Sequence, residues 1–157
     1  MHEKFMKLAI EVAKKAYKEG KLPAASIIVK NGEIIAKGIS LVATNLDPSS
    51  HNDSVAIRNA CKELAALDLS DCILYSTIEP CSMCLAGATW AGVSQVVFGA
   101  YQEDIKNNPY ELKDYHAEEH AKRLFAPFTN KEITVIGGAL RKECAELMKN
   151  IINWTIT

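Results

Sequence analysis

Two short stretches hold side chains whose types and spacing could do chemistry: "SHNDSVAIR" (50–58), with His51 and Asp53, and "EPCSMCLAG" (79–87), with Cys81 and Cys84. Thiols at i and i+3 share one face of a helix, and a helix N-terminus stabilises thiolates. A C-x-x-C after a strand and before a helix can be a redox pair. Such a pair needs no histidine, however, and leaves "SHND" unexplained. Two thiolates and one imidazole suit zinc, and three protein ligands leave a fourth position for water, as in catalytic rather than structural sites. Asp53 would add a carboxylate beside that site. Ser50 and Asp53 also fit the [ST]-x-x-[DE] capping box, so the same carboxylate could simply begin a helix.

The elements that must carry these residues follow from pattern. Residues 3–19 have apolar positions at Phe5, Leu8, Ala9, Val12, Ala16 and Tyr17, a helical stripe closed by Gly20. "AASIIVKNGEIIAKG" (24–38) is a hairpin around Asn31-Gly32. Residues 40–50 read as a loop, and a helix follows over 52–67, with Val55, Ala56, Ala60, Leu64 and Leu67 inward. A strand at 72–78 stops at Glu79-Pro80, a helix covers 82–91, and a strand covers 94–100. Residues 101–112 are a polar loop, 113–124 a polar helix, 132–138 a fifth strand and 139–152 a last helix. That order predicts a three-layer α/β/α sandwich on a five-stranded mixed sheet. Loops leaving strand ends are where such sheets place their sites, and His51 and Cys81 both fall there.

At 157 residues the chain reads as a single domain, 1–157. A net charge of −1 argues against a general nucleic-acid or anionic-membrane binder. No apolar run approaches the ~20 residues that span a bilayer. The N-terminus enters an amphipathic pattern rather than a signal-peptide core, so the expected location is cytoplasmic. In that compartment the five cysteines are thiols or ligands before disulfides. Cys61, Cys72 and Cys144 read as small core residues, and Trp90 as core.

His51-Asn52-Asp53 with Pro80-Cys81-Ser82-Met83-Cys84 resembles the H-x-E…P-C-x-x-C signature of zinc base deaminases. With "LPAASIIVKNGEIIAKG", "CILYSTIEPCSMCLAGATWAGVSQVVFGA" and "GALRKECAEL", the chain is similar over nearly its whole length to the cytidine-deaminase-like superfamily. The branch is the one that holds guanine deaminases and tRNA-type adenosine deaminases. The resemblance implies that His51, Cys81 and Cys84 hold Zn2+, which acidifies a water that attacks the ring carbon bearing the amino group. It puts Asp53 where the family keeps its proton-carrying carboxylate.

Three departures stand out. Asp53 replaces the family glutamate and is one methylene shorter, a retreat of roughly 1.5 Å if the backbone stays put. Displacements near 1 Å can cost on the order of 10²-fold in rate. Ser40, eleven residues before His51, replaces a base-binding asparagine, and Ser26 adds a hydroxyl where the family's first strand carries alanine. All three lie where the family's pocket is expected, which makes Ser40 and Ser26 substrate-contact candidates and implies an altered substrate.

Residues 101–120 carry six Asp/Glu against two Lys, a poor surface for phosphate. By the resemblance, this acidic segment covers the ring of a free base, with Asp114 reading ring N–H or amino groups and Tyr115 stacking. An exposed acidic helix explains the same charges. The expected function is therefore hydrolytic deamination of a free nucleobase or similar aminated heterocycle, guanine-like by branch. The alternatives are tRNA adenosine deamination, or a zinc-binding, catalytically weak homologue that acts as a partner protein. The resemblance also implies a homodimer, with Trp154 covering a neighbour's site or pinning its own tail. "HAEEH" (116–120) matches an inverted zinc-peptidase pattern, but its polar surroundings and its place downstream of the Cys pair favour a solvated helix.

Overall fold

The computed structural model describes residues 1–109, 111–124, 132–149 and 151. Five strands form one mixed sheet in the order β2-β1-β3-β4-β5: β1 (Ala25–Lys30), β2 (Glu33–Ile39), β3 (Cys72–Ile78), β4 (Gln95–Ala100) and β5 (Thr134–Ile136). β1 pairs antiparallel with β2 and with β3, whereas β3–β4 and β4–β5 are parallel. Asn31 and Gly32, at φ 51° and 80°, supply the two left-handed residues that a tight hairpin turn needs.

Alternation along the strands sends successive side chains to opposite faces. Ile28, Leu74 and Val96 face α3 (Asn52–Leu64), α4 (Ser82–Trp90) and α5 (Ala117–Ala121). Ile27, Val29, Tyr75 and Val97 face α1 (His2–Lys18) and α6 (Arg141–Leu147). The expected α/β/α sandwich is therefore present, and Cys72 and Cys144 are buried in its two cores with Cys61 packed against one of them.

Several expectations need correction. The buried stripe of α1 is Phe5, Met6, Ala9, Ile10, Ala13 and Ala16, which leaves Leu8 and Tyr17 exposed. The 40–50 loop contains a short helix, α2 (Val42–Asn45). α3 stops at Leu64 because Ala65 turns left-handed (φ 49°), so Leu67 faces solvent. Asp114 (φ 54°) breaks the 113–124 helix, and only Ala117–Ala121 remains. Gly138 (φ 84°) and Leu140 (φ 53°) separate β5 from α6. Trp90 lies at the last turn of α4, where Leu85 and Ala88 take the inward positions, and it is exposed. Trp154 lies outside the described residues.

Candidate active site

Ser26 and Ser76 pair across β1 and β3 and continue the face that buries Ile28 and Leu74. They form a polar floor beneath the N-terminus of α3. That helix sits close to β2 because residue 38 is glycine: a Cβ there would lie 2.1 Å from the Asn52 carbonyl oxygen and 2.4 Å from Ala56 N. The backbone hydrogen bond from Leu41 N to Ser50 O (2.9 Å) brings the end of β2, with the buried Ser40, alongside the chain entering α3.

His51 and Cys81 are the N-caps of α3 and α4, and neither side chain caps its helix. Both residues are extended (φ −68°, ψ 158° and φ −67°, ψ 169°), the ordinary backbone of a helix start. Cys84 follows in the first turn of α4. The ligand atoms of His51, Cys81 and Cys84 all lie within 4.8 Å of one another, with His51 Nδ1 3.6 Å from Cys81 Sγ. Tetrahedral zinc, with metal–ligand distances of about 2.0–2.3 Å, requires ligand atoms spaced at roughly 3.3–3.8 Å. The donor set and its spacing fit zinc. Among the described residues these three are the His/Cys/Asp/Glu group close enough to share an ion; Glu118 of "HAEEH" instead accepts from Tyr101 Oη at 2.8 Å.

Cys81 is pushed well below the ordinary thiol range, first by donation from Cys84 and then by His51. Cys84 is pushed up by the same partner and by burial. Ser54 Oγ lies 3.7 Å from Cys84 Sγ, an outer contact on the less exposed sulfur.

The capping-box alternative fails. Ser50 Oγ donates to Asp47 Oδ2 (2.7 Å), one residue outside the helix, and Asp53 turns into the protein. Asp53 is 3% exposed, and its Oδ1 accepts from Ser26 Oγ and from Asn52 Nδ2 (3.2 Å). Burial lifts the Asp53 carboxyl to about 6, against the opposing effect of the Ser26 and Ser76 hydroxyls. A carboxyl in that range can both take and give a proton near neutral pH.

A cavity of about 320 Å³ is lined by Glu79, Gln102, Glu103, Glu111, Asp114, Tyr115 and His116. Tyr115 Oη donates to the Pro80 carbonyl (2.7 Å), which ties this segment to the cysteine loop. Asp114 is exposed on the same wall. Glu79, 4% exposed, accepts from Gln102 N (3.1 Å) and Ala117 N (2.7 Å) and so holds both ends of the acidic segment. Burial raises its carboxyl and the two backbone donors oppose the shift. Sequence reasoning treated Glu79 only as a strand end and passed over Asn52, Ser54 and Ser76. Asn52 and Ser54 are the chain neighbours of Asp53, a signal that was available; Ser76 carries none.

Residues 1–100 match the family described as the cytidine and deoxycytidylate deaminase zinc-binding region. The chain belongs to this family. Guanine deaminase of Bacillus subtilis (strain 168) is 44% identical over 136 residues, covering 85% of this chain and 87% of that protein. The tRNA-specific adenosine deaminase of Aquifex aeolicus (strain VF5) is 34% identical over 142 residues, covering 82% of this chain and 94% of that protein. The solved guanine deaminase of Nitrosomonas europaea superposes with a TM-score of 0.80 at 24% identity, over 93% of this chain and 81% of that one, a likeness of fold. The protein is thus a zinc-binding deaminase, a hydrolase of C–N bonds, with the fold that the sequence led us to expect. Both substrate classes expected of this deaminase branch occur among its relatives. No described helix is long and apolar enough to cross a membrane.

Proposed function

We propose that this chain hydrolyses the exocyclic amino group of a free nucleobase or similar aminated heterocycle, guanine-like in its hydrogen-bonding edge, and releases ammonia. The observation that carries this reading is the cavity that Glu79, two residues before Cys81 in the chain, lines together with Glu103, Glu111 and Asp114, four carboxylates against one lysine, Lys113. Such a wall repels phosphate and suits a neutral ring with N–H donors. The 44% identity to a guanine deaminase supports the same class.

His51, Cys81 and Cys84 would hold the zinc, which when bound supplies a Lewis acid that acidifies water. Asp53 takes one proton from the attacking water and passes it to a ring nitrogen, then takes the second from the added hydroxyl and gives it to the leaving amine, so that water and a C–NH2 become a C=O and ammonia. Its burial keeps bulk water from competing for that proton. Ser40, beside the entry to α3, and Asp114 and Tyr115, on the cavity wall, contact the base; Ser26 was expected to do so too, but it lies beneath Asp53 with no exposed surface. One deaminase domain spanning 1–157, working in the cytoplasm, goes with this reading. So does a homodimer, supported by the exposed Met83 and Trp90 seven residues apart on α4; a monomer by sedimentation would remove the dimer alone.

Ammonia release measured across free bases, nucleosides and aminotriazines tests the function. We expect turnover of a free aminated base, with Asp53→Asn slower by about 10²–10⁴-fold. No turnover of any compound overturns it. Tight, salt-sensitive tRNA binding would favour the adenosine-editing class of the Aquifex relative. Activity gained only on Asp53→Glu would mark a catalytically weak partner protein.

A further inference from the structure

We propose that Ser26 is the positioning residue for Asp53, and that the two act as a unit in which the strand hydroxyl fixes where a short carboxylate can reach. The proposal rests on the functional reading above. Ser26 is wholly buried on β1, and its hydroxyl donates to Asp53 Oδ1. Asn52 Nδ2 donates to Ser26 Oγ at 2.7 Å, so the acceptor side of that oxygen is used and its single proton faces the carboxylate. The second amide hydrogen of Asn52 falls between Asp53 Oδ1 (3.2 Å) and Ser76 Oγ (3.3 Å), which closes the ring of contacts. Every member sits on a rigid element: Ser26 and Ser76 on adjacent strands, Asn52 and Asp53 in the first turn of a helix seated on Gly38.

The consequence is steric as well as electrostatic. The signature of this chemistry has glutamate where Asp53 stands. A side chain one methylene longer, anchored at the same Cα, would drive its carboxylate into the Ser26 hydroxyl. Aspartate gives up a CH2 on the helix side, and Ser26 supplies an oxygen on the strand side in nearly the same volume. The hydroxyl therefore suits aspartate, and alanine at 26 would suit glutamate. Ser26 has no exposed surface, and its hydroxyl meets Asp53, Asn52 and Ser76, so its effect on turnover passes through that group, with Asp53 as the member that carries protons.

The test is a double-mutant cycle on zinc-loaded protein: wild type, Ser26→Ala, Asp53→Glu and the double variant, with Ser26→Thr as the conservative control. Guanine hydrolysis, zinc content and the urea unfolding midpoint are read for each. Ser26→Ala should lower kcat by about 10–100-fold, with KM and zinc content unchanged, because the carboxylate loses its fixed orientation. Ser26→Thr keeps the hydroxyl and should retain most of kcat. Asp53→Glu alone should be impaired, and the double variant should exceed both single variants. Wild-type kcat in Ser26→Ala, or effects that simply multiply, overturns the proposal. If wild type turns over no compound at all, the functional reading fails by itself, and the unfolding midpoints still decide the unit: non-additive shifts support it and additive shifts overturn it.

Discussion

Gly38 on β2 and Asn52 at the start of α3 approach so closely that a single added carbon at residue 38 would stand 2.1 Å from the Asn52 carbonyl oxygen. The obstacle is backbone, not a flexible side chain, so it cannot swing aside. Gly38→Ala should lift the first turn of α3 off the sheet and take His51 and Asp53 with it. We expect a loss of about 1–3 kcal/mol or more in urea unfolding, together with weaker zinc retention on dialysis. A variant with unchanged stability and metal content would show that the close approach does not set the site.

Removing the metal should cost both structure and function. Chelator-treated protein should melt at a lower temperature, and added zinc should restore the midpoint. A stabilisation of about 4 kcal/mol is expected when free zinc exceeds its dissociation constant a thousandfold. His51→Ala and Cys81→Ser should abolish that zinc-dependent rise. Cys144→Ser, on the opposite face of the sheet, should keep it.

Asp47 braces the turn into α3. It accepts from the Ser49 and Ser50 hydroxyls and from Ser49 N, and these bonds hold its carboxyl down at about 2. A carboxyl lowered on folding adds stability above its unfolded value near 3.8, and that stability is lost as pH falls toward 2. Thermal scans of wild type and Asp47→Ala should therefore differ at neutral pH and converge between about pH 4 and pH 2. A gap that persists unchanged at pH 2 would rule out the charged carboxylate as its source.

Glu79 latches the acidic segment by accepting from Gln102 N and Ala117 N. Glu79→Gln replaces one acceptor with a donor and leaves a backbone N–H facing an amide. The cost should be about 1–3 kcal/mol, and amide exchange at Gln102 and Ala117 should quicken. If the segment covers the substrate, KM should rise more than kcat falls. Exchange rates equal to wild type would show that the latch contributes nothing.

Much of the scaffold was legible because its signals are local. Strand alternation, the Asn31-Gly32 turn and the Pro80 break need only neighbouring residues to be read, and β3 occupies residues 72–78 as expected. Helix ends were less legible. Ala65 and Leu140 take left-handed φ values with nothing in their side chains to announce it, Asp114 does so as a residue type that tolerates that region, and each shifts a boundary. Leu67 and Trp90 were expected inside because apolar side chains usually are; they fall on turns where other residues had already filled the core.

The sequence by itself determined the metal chemistry, since only His51, Cys81 and Cys84 combine the right atoms with helix starts at strand ends, and donor chemistry is a property of residue type. It left Asp53 ambiguous between capping a helix and carrying protons. The tertiary structure removed the capping alternative by setting Ser26, twenty-seven residues away, against the carboxylate while Ser50 turned back to Asp47. Contacts between strands and helices arise from sheet order and from the close seat at Gly38, and neither is written in the spacing of the residues that they join.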